Sequence, residues 1–292
     1  MASLKEIRGR INSISNTRKI TSAMKMVSSA KLHKAQDNIL RFHPYWRKIN
    51  GIMDVYFENE MNVNSLGLFM DLRKVKKLVI VVFSSNSGLC GAFNVNIQKK
   101  MAETLNEYAT LPKNNISIYF IGKKGYEGFA GKNLGYNIAG IIPELADKPD
   151  YEQLNKVTNK LINTFLSKNV DKVEFIYSKY KNTAIQHATN ELLLPIVLEE
   201  TSYKRKNISY IIEPDPQQLS KSLVPAVIRL KMYGALLNSY ASEHGARTTA
   251  MQVATDNADE LIENLKLQYN KLRQDAITKE IIDIVGGSEI FR

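Results

Sequence analysis

Residues 223–276 read LVPAVIRLKMYGALLNSYASEHGARTTAMQVATDNADELIENLKLQYNKLRQDA, and the spacing within this stretch decides the fold. Leu223, Leu230, Leu237, His244, Met251, Ala258, Leu265 and Leu272 stand seven residues apart. Val227, Gly234, Ala241, Thr248, Thr255, Ile262, Tyr269 and Ala276 form the interleaved set. The two sets alternate in steps of four and three without a slip, which is the seam of a coiled coil. Asp215 is suited to cap the helix start and Pro216 to occupy its first position. Gly286-Gly287 is suited to end it in a left-handed turn. At ~1.5 Å per residue such a helix is about 100 Å long, too long for an ordinary core helix, so it needs a partner. The middle of the seam is small or polar, with Gly234, Ala241, His244, Thr248, Thr255 and Ala258. Such residues let two backbones approach closely but bury little apolar area.

The partner is expected at the other end of the chain. Residues 3–57 read as a second long helix, with Leu4, Ile7, Ile11 and Ile14 on one face. After an interruption at Arg18-Lys19 the apolar stripe is expected to resume through Ile20, Ala23, Met24, Val27 and Ala30. Pro44 marks a kink or irregularity. Two helices at opposite chain ends, with a compact domain between them, pair most simply as an antiparallel two-helix coiled coil.

Between them the period changes. Residues 58–75 read as a connector. Residues 77–84, KLVIVVFS, form the continuous β-branched run of a strand buried on both faces. Strands are expected at 116–121, 136–141, 172–180 and 184–194, with an extended stretch at 208–212. Helices are expected at 91–110, 122–130 and 151–167. Alternation of this kind implies an α/β domain with a mainly parallel sheet. The division is therefore 1–58, an N-terminal coiled-coil helix; 75–212, a central α/β domain; and 213–292, a C-terminal coiled-coil helix.

The chain has 292 residues and a net charge of +11. Residues 1–50 hold eleven Lys/Arg against Glu6 and Asp37, whereas residues 215–292 hold nine basic and ten acidic side chains. The N-terminal segment is thus the surface for an acidic partner: nucleic acid, an anionic membrane or an acidic protein loop. A single cysteine, Cys90, excludes an internal disulfide. No apolar run approaches a membrane span. The first residues lack a signal-peptide core. Their basic, acid-poor composition is shared with transit peptides, but helical periodicity continues through residue 40.

No catalytic constellation stands out. The turn Ser87-Gly88-Leu89-Cys90-Gly91 lies where doubly wound folds cradle phosphates, but it matches neither the dinucleotide fingerprint nor the P-loop. Gly122-Lys123-Lys124-Gly125 lacks P-loop spacing as well. His33, His43, His187 and His244 have no metal-ligand spacing. His244 falls on the seam as a packed histidine, and Cys90 reads as a buried structural thiol. Neither cofactor nor metal is expected.

The residues also carry a family resemblance. Residues 5–11 (KEIRGRI), 16–27 (NTRKITSAMKMV), 88–91 (GLCG) with Asn94, and 213–216 (EPDP) resemble the gamma subunit of F-type ATP synthase. The C-terminal runs 241–247 (ASEHGAR), 254–258 (ATDNA) and 269–281 (YNKLRQDAITKEI) are the most specific. The resemblance covers essentially the whole chain. It implies a bacterial form, peripheral on the cytoplasmic face of the inner membrane, without the cysteine pair of the redox-regulated chloroplast form. It further implies a central rotor shaft with no catalytic site of its own. In the family, an antiparallel coiled coil passes through a ring of alpha and beta subunits. A Rossmann-like α/β domain without a nucleotide sits at the foot beside the epsilon subunit and the membrane c-ring.

Carried over position by position, Arg273, Gln274 and Thr278 match a contact with a catch loop of the beta subunit. Met24 and Lys25 match the segment near an acidic beta-subunit loop, and Arg41 and Glu213 match the foot near the c-ring. The chain departs from the family at Asn86-Ser87, where Asp-Arg is usual, and at Leu272, where alanine usually precedes Arg-Gln. The alternative reading from the residues alone is a basic coiled-coil protein that binds nucleic acid through residues 1–50. Phe42, Tyr45 and Trp46, the aromatics available for base stacking, cluster at one end of that segment.

Overall fold

The computed structural model describes residues 3–59, 68–131, 135–183, 185–197 and 216–289. In chain order these form α1 (Leu4–Asn59), β1 (Leu78–Phe83), α2 (Phe93–Glu107), β2 (Ile116–Ile121), α3 (Lys123–Ala130), β3 (Asn137–Ile142), α4 (Glu144–Asp147), α5 (Tyr151–Leu166), β4 (Lys172–Tyr180), β5 (Gln186–Leu194) and α6 (Pro216–Glu289). Two compact units result: residues 29–246, and residues 1–28 with 247–292.

The larger unit is organised by β1. Its six residues are apolar, five of them aliphatic, and all six are buried. The sheet order is β3-β2-β1-β4-β5. β1 runs parallel to β2 and to β4, and β2 parallel to β3; only β5 pairs antiparallel, with β4. The mainly parallel sheet expected from the alternation of strands and helices is present. Side chains of a strand alternate between faces, and here they feed two cores. Val79, Val81 and Phe83 join α5, α6 and part of α1. Leu78, Ile80 and Val82 join Phe93, Ile97 and Met101 of α2 and Phe129 of α3.

α5 shows how sequence positions a covering helix. Asp150 caps it by accepting from Gln153 N at 2.8 Å. Leu154, Thr158, Leu161, Ile162 and Phe165 then recur at helical spacing and are its buried residues. Residues 223–236 of α6 belong to the same core, through Leu223, Val224, Ile228, Leu230, Met232, Ala235 and Leu236. In this unit α6 is buried on more than its seam.

The seven-residue seam of α6 matches the observed burial. Leu223, Leu230, Leu237, Ala241, His244, Met251 and Ala258 are buried, and the remaining members are half-buried. α1 is another matter. Ile7 is buried and Ile11 and Ile14 half-buried, but Ile20 and Val27 are 60% and 58% exposed, and Ala23 and Ala30 are exposed as well. The covered face instead runs through Thr21, Lys25 and Ser28, then Leu32 and Ala35. These positions continue the spacing of Ile7, Ile11 and Ile14. A face of threonine, lysine and serine gives no apolar signal, so the stripe read beyond Arg18-Lys19 lies mostly on the wrong side.

A second correction concerns the end of α6. The helix passes through Gly286-Gly287 to Glu289. Glycine permits a left-handed stop but does not impose one. With Gly286 ending the helix, the next residue would be Gly287, which has no side chain for the hydrophobic contact that usually accompanies such a stop. α1 continues as helix through Pro44. Strands β3 and β5 occupy the places expected of them. The expected extended stretch 208–212 and the Asp215 cap lie outside the described residues.

Candidate functional site

The turn after β1 is where a doubly wound fold would bind a ligand. Here several of its donors and acceptors are bonded to the chain's own groups. Asn94 Oδ1 accepts from Ser85 N (3.2 Å), and Asn94 Nδ2 donates to Ser85 Oγ (2.7 Å) and to Cys90 Sγ (3.1 Å). Asn86 accepts from Lys123 N (3.1 Å) and donates to the Pro143 carbonyl (2.8 Å). Lys124 N, in the first turn of α3, donates to the Ser85 carbonyl (2.9 Å). The α3 amides that could cradle a phosphate are thus already engaged. Asn86, which replaces a residue usual in the resembled family, is one of the side chains that engage them. Cys90 is 2% exposed, the buried thiol expected of it.

Several titratable groups of the sheet are likewise paired internally. Glu174 is buried and accepts from Tyr108 Oη, Lys172 Nζ (2.7 Å) and Asn190 Nδ2 (2.7 Å). Burial pulls the Lys172 ammonium down, but its bonds to Glu174 and Tyr108 hold it above the usual lysine range. Tyr177 donates to Glu191 (2.6 Å); burial, reinforced by that carboxylate, pushes its phenol far up. Burial also raises Tyr108, Tyr233 and Tyr240, aided by Glu174, Asp150 and Glu243 respectively.

The consequence for stability has a definite sign. Unfolded phenols ionise near pH 10 while the folded ones keep their protons, so the unfolded state binds fewer protons above that pH. Stability from these four tyrosines is complete below about pH 10 and falls above it. Lys172, raised in the folded state, acts in the same direction. Urea unfolding from pH 8 to 11 is expected to show a midpoint flat to about 9.5 and falling beyond; a flat midpoint to pH 11 would contradict this.

The residues singled out by sequence form two patches in the smaller unit and one isolated position in the larger. Arg273, Gln274 and Thr278 are exposed on α6, and the Thr278 hydroxyl donates to the Gln274 carbonyl at 2.9 Å. Met24 and Lys25 are half-buried on α1. Arg41 is exposed on the α1 segment of the larger unit. Glu213 lies outside the described residues. Sequence reasoning missed the polar contacts within the smaller unit. Thr21 and Thr255 hydroxyls share a bond of 2.9 Å, and Arg18 pairs with Asp259 at 2.6 Å. The signal was the seven-residue spacing continued from Ile7. Both ends of the Arg18–Asp259 pair are about half exposed, so it contributes about 0–1 kcal/mol.

Comparison with known proteins shows the family of the chain as a whole. A family model described as ATP synthase matches residues 3–290. The ATP synthase gamma chain of Bacteroides fragilis is 50% identical over 292 residues, covering 99% of each chain. The chain belongs to the ATP synthase gamma chain family. The gamma chain of Flavobacterium johnsoniae is 41% identical, again over 99% of both chains. Among solved structures, a chain of the Euglena gracilis mitochondrial ATP synthase OSCP/F1/c-ring assembly superposes with a TM-score of 0.68. It has 18% identity and covers 99% of this chain and 94% of that one. A chain of the Tetrahymena thermophila central stalk/c-ring structure gives 0.61 at 21% identity, over 80% of this chain and 99% of that one. At those identities the superpositions speak for the fold alone. Among the described residues no helix is long and apolar enough to cross a membrane.

Proposed function

We propose that this chain is the central rotor shaft of an F-type ATP synthase. It couples proton-driven rotation of the membrane c-ring to ATP synthesis and hydrolysis at the beta-subunit sites, and carries no catalytic site itself. The observation that carries this reading is end-to-end identity of 50% with an ATP synthase gamma chain. In this reading α1 and α6 form an antiparallel two-helix coiled coil, with 1–58 and 213–292 as its arms and 75–212 as the foot domain. Pairing is supported by contacts whose numbers run in opposite directions: Arg18 with Asp259, then Thr21 with Thr255. In the larger unit Phe42 meets Tyr233 with ring centroids 5.7 Å apart, and Ala35 shares a core with Ala241.

The alpha and beta subunits enclose the smaller unit, and the epsilon subunit and c-ring meet the foot. The complex is peripheral to the cytoplasmic face of the bacterial inner membrane at this end. Arg273, Gln274 and Thr278 contact the beta catch loop, Met24 and Lys25 face an acidic beta loop, and Arg41 and Glu213 approach the c-ring. The exposed apolar side chains of the smaller unit support enclosure. Ile20, Met26 and Val27 on α1 and Leu267, Ile277 and Ile281 on α6 are each 48–72% exposed. Apolar surface concentrated in this way marks a contact surface. The cations of residues 1–50 attract acidic loops through many weak pairs, and a turning shaft needs attraction without one deep well.

Co-expression with the alpha and beta subunits tests this directly. One copy of the chain is expected in a stable complex whose ATPase activity depends on it. Head subunits that gain no activity, with the chain eluting apart, would refute the reading. Steep salt-dependent DNA binding by the free chain would then favour the nucleic-acid alternative.

A further inference from the structure

The sheet places its topological switch point between β1 and β4. From β1 the chain moves outward through β2 to β3, then returns to the other side of β1 as β4. In doubly wound folds the crevice at the carboxyl ends of these strands is where the ligand sits. In this chain it is occupied by α6. At the end of β4 the Ser178 carbonyl accepts from Ser242 Oγ at 3.0 Å, a bond buried from solvent. Gly245 lies against the β4–β5 turn: a Cβ there would make ordinary contacts, 3.4 Å from the Tyr180 ring and 3.7 Å from Thr183 Cα. At the ends of β1 and β2, Phe83, Ser84 and Ile121 face Leu236, Ser239, Tyr240 and Glu243 across a cavity of about 10 Å³, room for one water at most.

Close approach depends on size. Ala235, Ser239, Ala241 and Ser242 are all buried, and none is larger than serine. The seat also engages α1, since Gln36 Nε2 donates to Tyr180 Oη at 2.9 Å. The compact unit that contains the sheet ends at Ala246, directly after the last of these contacts.

We propose that the switch-point crevice is the seat of the shaft: residues 235–245 of α6 lie where a ligand would, torque passes between the α/β domain and the shaft at this seat, and Ser242 is a positioning residue of the coupling. The proposal rests on the rotor reading. Packing makes the seat, and the Ser242 hydroxyl sets its register against β4. A turn of the domain about the helix would have to open this packing. A bulky side chain at residue 242 therefore lets the domain slip without touching the surfaces that meet the catalytic head.

The test uses the assembled complex in sealed vesicles, measuring ATP hydrolysis and proton pumping separately. In Ser242→Leu, hydrolysis is expected to stay within about twofold of the unmodified complex, while protons pumped per ATP fall at least fivefold. Ser242→Ala, which keeps the seat small, is expected to retain at least half of the pumping. A Leu variant that pumps normally per ATP overturns the proposal. So does one that loses hydrolysis and pumping in proportion while still assembled, because a merely structural role predicts that result. Should the Leu variant not assemble, amide exchange of residues 235–245 in the unmodified complex decides. Protection equal in idle and turning complexes is expected, and deprotection during turnover overturns the proposal. A complex whose ATPase activity does not depend on this chain would instead sink the rotor reading itself.

Discussion

Replacing Gly122 by alanine is expected to destabilise the chain by about 3 kcal/mol or more, combining a backbone conformation open only to glycine with a steric clash. Gly122 joins β2 to α3 with φ +97° and ψ 148°. A Cβ there would lie 2.1 Å from the Ser84 carbonyl oxygen and 2.6 Å from its carbon. The obstacle is backbone, and it is held in place. Ser84 N donates to the Ile121 carbonyl at 2.7 Å, and Ser84 Oγ bonds the Ile121 carbonyl and accepts from Gly125 N. Both strands behind it are almost wholly buried, so the turn has nowhere to relax. Urea unfolding of the full chain reads the effect as a lowered midpoint. Gly88→Ala is the control: its Cβ would meet nothing within 4 Å, and the change is expected to stay within about 0.5 kcal/mol. Equal midpoints for the two variants would show that the Ser84–Gly122 approach can yield.

The second large effect is functional. Gln274→Ala combined with Thr278→Ala is expected to impair coupled ATP synthesis or assembly while leaving the isolated chain folded. Both side chains are exposed, and the hydroxyl of Thr278 bonds only back to its own helix at the Gln274 carbonyl among the contacts of the described residues. Alanine has the best helix propensity, so the helix loses nothing by the change. Loss of function with an unchanged unfolding midpoint would therefore place the role in a partner contact. Full ATP synthesis by a normally assembled double variant would remove Gln274 and Thr278 from that contact.

Much of this architecture is legible in the residues alone, and the exceptions share a physical cause. The seam of α6 can be read because its spacing of seven persists even where Gly234, Thr248 and Ala258 weaken its hydrophobicity. β1 can be read because six consecutive apolar residues cannot be solvated on either face. The covered face of α1 cannot be read by hydropathy. Thr21, Lys25 and Ser28 are covered or half-covered while Ile20 and Val27 point outward. A search for apolar stripes follows the isoleucine and valine, and only the burial in the folded chain shows which face is inside.

The family was evident in short runs at both chain ends, and with it the candidate contacts Met24, Lys25, Arg41, Glu213, Arg273, Gln274 and Thr278. Those residues, mostly exposed where described, leave little trace in the fold of the single chain. The partners of buried Glu174 were hidden because Tyr108, Lys172 and Asn190 come from separate stretches that only the sheet and α2 bring together.

The sequence by itself determined the class of each element and the register of the long C-terminal helix, because periodicity and β-branching act locally. Tertiary structure alone decided where that helix goes. Alanine, serine and glycine at residues 235–245 carry no signal of a destination; they specify only how near a neighbour can come. The neighbour is the crevice at the carboxyl ends of β1 and β4, formed only once the sheet has assembled.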